Sequence, residues 1–170
     1  MVIPVSEAQK QTGSVFPVSI QETIEAQEFA GKPIVFTDPV QITGSYVFDG
    51  TAFHVDASAR VSYITECARC NKQFVESLIF PVNEFFVRDI QWDEEQDTYP
   101  YTSERIDLRQ AFLDNLFLNY PLISLCKPDC LGLCPVCGTD LNEHKCSCRR
   151  QSTDARFGLL EQLLNENKEV

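Results

Sequence analysis

Eight cysteines fall into four close pairs, Cys67-Ala-Arg-Cys70, Cys126-Lys-Pro-Asp-Cys130, Cys134-Pro-Val-Cys137 and Cys146-Ser-Cys148. Two thiolates two residues apart can point at one ion while the backbone between them curls so that its amides face the sulfurs. The run Cys134-Pro-Val-Cys137-Gly138 carries this furthest, because Pro135 fixes φ and Gly138 permits the positive φ that the turn requires. That is the form of a zinc knuckle. A structural zinc site takes four ligands in a closed tetrahedron, and a thiolate-only set favours zinc over magnesium or calcium. Cys67, Cys70, Cys126, Cys130, Cys134, Cys137, Cys146 and Cys148 make two such sites with none left over, so two zinc ions are expected. Three groupings of the pairs exist. The favoured one joins Cys134 and Cys137 to Cys146 and Cys148 across a short loop, which costs least to close, and leaves Cys67 and Cys70 with Cys126 and Cys130. Interleaved groupings stay open.

Other readings of the same thiols are an iron–sulfur cluster, a set of buried small hydrophobes, and a dithiol site at Cys67 and Cys70 beside Arg69, whose charge would favour a thiolate. The last lacks the βαβ setting of a thioredoxin-like motif. His54 and His144 are the only histidines. His144 stands between Cys137 and Cys146 in an outer or exposed role, and His54 alternates with Phe53 toward solvent. A Ser/His/Asp or Cys/His catalytic set has thin support, and the seven glycines form no phosphate loop. The chain does not read as an enzyme, and no small-molecule substrate is expected.

Stepping along the chain, the segment from Gly13 to Arg88 reads as β structure. Val40, Ile42, Tyr46 and Phe48, then Phe53, Val55, Ala57, Ala59, Val61 and Tyr63, keep a period of two broken only by Gly44. Asp49-Gly50 between them predicts a hairpin with a type I′ turn. From Phe74 to Arg88 both faces are apolar, which predicts a more fully buried strand with Pro81 at a bulge or an edge. Asp89 to Asp107 holds seven acidic residues against Arg105 alone and reads as a solvated acidic loop. Its Trp92, Tyr99 and Tyr101 keep open a docking surface for a basic partner. Asp107 and Gln110 suggest a capping box opening a helix along Leu108, Ala111, Phe112 and Leu116, which Pro121 stops. A last helix is predicted over about 154–167, with Phe157, Leu160, Leu163 and Leu164 on one face. The fold class expected is α+β, an antiparallel sheet or partial barrel packed by two helices, with a C-terminal zinc-ribbon-like cysteine head that is unfolded without metal. The division expected is a mainly β domain over 1–106, with the acidic loop at 89–106, and a second part over 107–170 holding helix, cysteine head and last helix.

Lys and Arg number 14 and Asp and Glu 25, a formal charge of −11. Such a chain is repelled on average by a nucleic-acid backbone, so any contact with one must be local. Met1 to Thr12 has no apolar stretch of signal-peptide kind, and no later run is long enough to span a bilayer. The expectation is a soluble cytoplasmic protein in a reducing compartment, with no membrane contact.

Cys67-Ala-Arg-Cys70 after a long strand, Cys130-Leu-Gly-Leu-Cys134-Pro-Val-Cys137-Gly138, Asp140-Leu141-Asn142, Cys146-Ser-Cys148, and Asp154 and Arg156 opening a helix together resemble the YceD family, the large ribosomal RNA subunit accumulation proteins. The resemblance implies a bacterial, cytoplasmic, non-enzymatic factor linked to large-subunit ribosomal RNA and ribosome assembly. Its partner would be ribosomal RNA or a basic ribosomal protein. Arg69, Lys127, Lys145, Arg149 and Arg150 are candidates for RNA phosphates, and Trp92, Asp93, Glu94, Glu95 and Asp97 for a basic protein. The alternative for the acidic residues is solubility alone. The alternative for the whole chain is a zinc-supported thiol redox switch or oxidoreductase.

Overall fold

The computed structural model describes residues 1–89, 97–102 and 104–148. The described elements are β1 (Val2–Pro4), α1 (Ser6–Lys10), β2 (Val15–Glu22), β3 (Gln27–Phe29), β4 (Lys32–Phe36), β5 (Val40–Phe48), β6 (Phe53–Glu66), β7 (Gln73–Arg88), β8 (Tyr99–Tyr101), β9 (Arg105–Asp107) and α2 (Arg109–Asn119). The chain divides into two compact units, Met1–Cys67 with Lys72–Cys126, and Ala68–Asn71 with the chain from Lys127 on.

In the first unit the period-two pattern sets the sheet. Every one of Val40, Ile42, Tyr46, Phe48, Phe53, Val55, Ala57, Ala59, Val61 and Tyr63 is buried. β5 and β6 pair antiparallel from Phe48↔Phe53 to Gln41↔Arg60, as the alternation predicts. β6 is the long central strand: along one side it pairs with β5 and then with β4, and along the other with β7 from Phe53↔Phe86 to Glu66↔Gln73. β2 extends the sheet beyond β5, β3 beyond β4, and β8 runs parallel to the end of β7. α2 lays Phe112 against Phe80, ring centroids 5.6 Å apart, and its Leu116 is fully buried. Among the described residues the result is a mostly antiparallel sheet with two helices, α1 and α2.

The hairpin turn differs from the type I′ expected. Gly50 takes φ 106, but Asp49 is not among the positive-φ residues. Asp49 keeps ordinary backbone and uses its carboxylate instead, accepting from Thr51 N at 2.7 Å, Thr51 Oγ1 at 2.8 Å and Ala52 N at 2.8 Å. β7 is not buried on both faces. Phe80, Val82 and Phe86 are buried, whereas Val75, Ile79 and Phe85 stand exposed on the other side. On that side the Phe85 ring stacks on His54, with centroids 4.5 Å apart. Pro81 causes no bulge, because the β6–β7 register is unbroken. It lies where β7 has no described neighbour on its far side, an edge place that tolerates a missing N–H.

The capping box is half formed. Arg109 N donates to Asp107 Oδ1 at 2.9 Å, but Gln110 turns forward to Asp114 Oδ1, also at 2.9 Å, the i,i+4 partner within its reach. The helix ends at Asn119 with Tyr120 extended, as a residue before proline prefers. The segment read as a solvated acidic loop holds two short strands, β8 and β9, the second paired with β1 near the N-terminus. Tyr101 and Ile106 are buried, and Tyr99, half-buried, donates to Asp114 Oδ2 at 2.9 Å. The first unit takes in α2, whereas composition divided the chain before Asp107. Leu108, Ala111, Phe112 and Leu116 belong to the same buried cluster as the strand residues, so the helix goes with the sheet. The helix expected over 154–167 lies outside the described residues.

Candidate metal centres

Cys67 comes at the end of β6, where the β6–β7 hairpin turns over residues 67–72. Cys67 N donates to Lys72 O at 3.0 Å, and Asn71 takes φ 57, a left-handed conformation that asparagine tolerates better than most residues. The chain approaching Cys126 is held by the sheet: Ser124 Oγ donates to Glu76 Oε2 at 2.5 Å, and Tyr63 Oη donates to the same oxygen at 3.1 Å. Burial and that carboxylate push the Tyr63 phenol well above its ordinary range, so it stays a donor. Glu76 and Ser124 are positioning residues that sequence reasoning missed. The signal was a carboxylate at an inward register position of β7, between Phe74 and Leu78.

Within the second unit Arg69 braces the loop carrying Cys130. Its Nη1 donates to Cys130 O at 2.8 Å, and Arg69 O accepts from Leu133 N at 3.1 Å. Gly132, at φ 75, lies so close that a Cβ would stand 2.9 Å from Arg69 O, which explains glycine there. A miniature hairpin follows. Leu133 and Asp140 form a bridge, Cys134 N donates to Thr139 O, and Gly138 N donates back to Cys134 O, both at 2.8 Å. Gly138 has φ 72, as expected from the knuckle spacing. Asn142 ties the segment together, accepting from Leu131 N at 2.9 Å while its Nδ2 donates to Asp140 Oδ1 at 2.7 Å and lies 3.4 Å from Cys130 Sγ.

The thiols form two groups of four, Cys67, Cys70, Cys126 and Cys130, and Cys134, Cys137, Cys146 and Cys148. Within each, all four sulfurs lie within 4.8 Å of one another. This is the grouping that loop closure favoured over the interleaved ones. All eight are free thiols, and each group could hold a metal ion. The groups differ in exposure. Cys67, Cys70 and Cys130 are buried and Cys126 half-buried, whereas Cys137 is exposed, Cys146 and Cys148 half-buried, and Cys134 alone buried.

In the second group the backbone amides of Cys137 and Val136 face the Cys134 thiol and hold its pKa below the ordinary value. Thr139 does the same for Cys137, by a hydroxyl 3.1 Å from its Sγ and by its backbone amide, lowering the thiol to about 6. Cys148, sharing a hydrogen bond with Cys137, is pushed up to about 12, while Cys146 is raised chiefly by its bond to Cys134. A bound cation would favour the thiolate form of all four.

Of the candidate basic residues, Arg69, Lys127 and Lys145 are described, all in the second unit. Lys127 and Lys145 are exposed, and Arg69, though exposed, is engaged with the Cys130 carbonyl. Asp97 is exposed. Trp92, Asp93, Glu94, Glu95, Arg149 and Arg150 lie outside the described residues. His144 is exposed, and its sulfur neighbours complete their group without it. Among the described residues, no helix is long and apolar enough to cross a membrane.

A mostly antiparallel sheet with two helices, joined in one chain to two four-cysteine clusters, defines the class of protein. The chain belongs to the YceD family, described as large ribosomal RNA subunit accumulation proteins, which it matches over residues 55–164, a stretch holding all eight cysteines. It is similar to an uncharacterized protein of Mycobacterium tuberculosis, 25% identical over 179 residues, covering 100% of this chain and 84% of the relative. It is also 24% identical over 152 residues to the chloroplastic large ribosomal RNA subunit accumulation protein YCED homolog 1 of Arabidopsis thaliana, covering 72% of this chain and 47% of that protein. The corresponding Zea mays protein is 35% identical over 63 residues, 36% of this chain and 21% of its own length. No solved structure matches.

Proposed function

We propose that the chain is a non-enzymatic, zinc-binding cytoplasmic factor of bacterial type that supports large-subunit ribosomal RNA accumulation and ribosome assembly, through contact with ribosomal RNA or a basic ribosomal protein. The observation that carries the reading is membership of the family over a stretch that contains both complete cysteine groups. Zinc is the metal favoured by the donors. Four thiolates and no oxygen ligand suit it, and sulfurs about 2.3 Å from a tetrahedral zinc stand roughly 3.8 Å apart, which the observed 4.8 Å limit accommodates. Zinc would hold the knuckles in a zinc-ribbon-like head and leave no open coordination position for a substrate. Charge suggests how an acidic chain works among ribosomal components. From Cys126 to Arg150, Lys127, Lys145, Arg149 and Arg150 outnumber Asp129, Asp140 and Glu143, whereas Asp89 to Asp107 is strongly acidic.

Sedimentation of the tagged chain with ribosomal particles, followed by cross-linking, tests the reading, and elemental analysis of protein purified without chelator should find two zinc ions per chain. Replacing Arg149 and Arg150 by Glu should weaken RNA binding and flatten its salt dependence, each lost phosphate contact removing roughly 0.7 to 0.9 from the log–log slope. Replacing Asp93, Glu94, Glu95 and Asp97 by Lys should instead weaken a basic protein partner. A chain that never sediments with ribosomal particles refutes the assignment.

A further inference from the structure

We propose that the second cysteine group is a peroxide-sensitive metal-release site, while the first retains its ion. The proposal rests on the zinc reading and adds a division of labour between the two sites. Three observations carry it. The first is exposure: in the second group Cys137 is open to solvent, Cys146 and Cys148 are partly so and Cys134 alone is buried, whereas in the first Cys67, Cys70 and Cys130 are 1%, 7% and 2% exposed and Cys126 alone is half-buried. The second is access, since a cleft of ≈ 320 Å³ lined by Leu131, Cys134, Leu141, Lys145, Cys146 and Cys148 borders three of the four cysteines. The third is proximity. The sulfurs of Cys137 and Cys148 lie within 4.8 Å of each other, so a bond between them requires only a small movement of the backbone carrying them.

A zinc-bound thiolate remains a nucleophile where an oxidant can reach it. The Cys137 sulfur attacks one oxygen of hydrogen peroxide and the O–O bond breaks. Cys137 becomes a sulfenic acid, and the departing hydroxide takes a proton and leaves as water. Cys148 then attacks the Cys137 sulfur, forming the S–S bond and expelling a second hydroxide, which also leaves as water. Two thiolates have lost two electrons, one peroxide has gained them, and two protons have come from solvent. Cys134 and Cys146 alone cannot hold the ion, so one zinc is released. The dithiol site considered at Cys67 and Cys70 has the opposite surroundings, since both residues are buried.

The experiment uses the full chain loaded with zinc and confirmed at two ions by elemental analysis, then treated with hydrogen peroxide in the presence of a chromophoric zinc indicator. One equivalent of zinc should leave about tenfold or more faster than the second. Peptide mass spectrometry of the one-zinc species should find a disulfide joining Cys137 and Cys148. Dithiothreitol followed by zinc should restore the second equivalent. Fewer than two zinc ions before peroxide is added overturns the zinc reading and this proposal with it. With two ions bound at the start, release of both in one phase, no release, or first oxidation at Cys67, Cys70, Cys126 or Cys130 overturns this proposal alone.

Discussion

Arg69 places its guanidinium Nη1 2.8 Å from the carbonyl oxygen of Cys130, 61 residues further along the chain. The side chain between the first two cysteines thus fixes the backbone that carries the fourth ligand of the same group. Partners that orient a ligand loop typically govern metal affinity by 10- to 100-fold. Arg69→Ala should weaken zinc at the first group by about tenfold, read by chelator competition, and Arg69→Lys should recover only part, because an ammonium lacks the fork of donors. Unchanged zinc affinity together with lost RNA binding would return Arg69 to the phosphate-binding role.

Gly44 faces Ala57 across β5 and β6. Its φ is not positive, so its need for glycine comes from approach and not from backbone conformation. A Cβ there would fall on the Asp56 carbonyl oxygen and the Ala57 Cα, and 2.7 Å from the Ala57 Cβ. Gly44→Ala should cost about 1–3 kcal/mol, as overpacking does, seen as a lower denaturant midpoint with an unchanged slope. A stability within a few tenths of the parent would show that the strands separate freely.

Asp49 accepts three hydrogen bonds in the turn before β6, and the Ala52 amide, followed by that of Thr51, holds its carboxyl below the ordinary 3.8. A carboxyl depressed in the folded state contributes fully above that value and loses its contribution as pH falls through the folded pKa. Asp49→Ala should therefore destabilise by roughly 1 kcal/mol at neutral pH. The difference from the parent should shrink in the acid range below pH 3.8. Chemical denaturation across pH measures this, and a penalty that is constant with pH would assign it to packing.

Chelation should act unevenly. The core around Phe53, Tyr63, Phe80, Phe86 and Phe112 packs without any cysteine, so the sheet should keep its slow amide exchange when metal is removed. Residues 127–148 have few buried apolar side chains, and should lose protection. Hydrogen exchange read by mass spectrometry separates the two regions. Equal loss in both would mean that the sheet also depends on metal.

The sequence by itself determined what depends on near neighbours. Alternation from Val40 to Tyr63 named the buried face of the central hairpin residue by residue, Pro121 ended α2, and the pairing of the cysteines, with the short loop before Cys146, foretold both groups of four. These signals are local because side-chain period, proline's backbone and loop-closure entropy act over a few residues. Tertiary structure decided the rest. Whether the second face of β7 is covered depends on what packs there, and Val75, Ile79 and Phe85 read as core until the sheet left them open. Tyr99 and Tyr101 sit in an acidic stretch, yet β8 pairs with β7 and draws Tyr101 inside. Glu76, Ser124 and the Arg69 bond to Cys130 join residues 48 and 61 positions apart, a separation at which no spacing rule operates. The unequal burial of the two cysteine groups is of the same kind, since identical ligands gain different exposure from the chain folded around them.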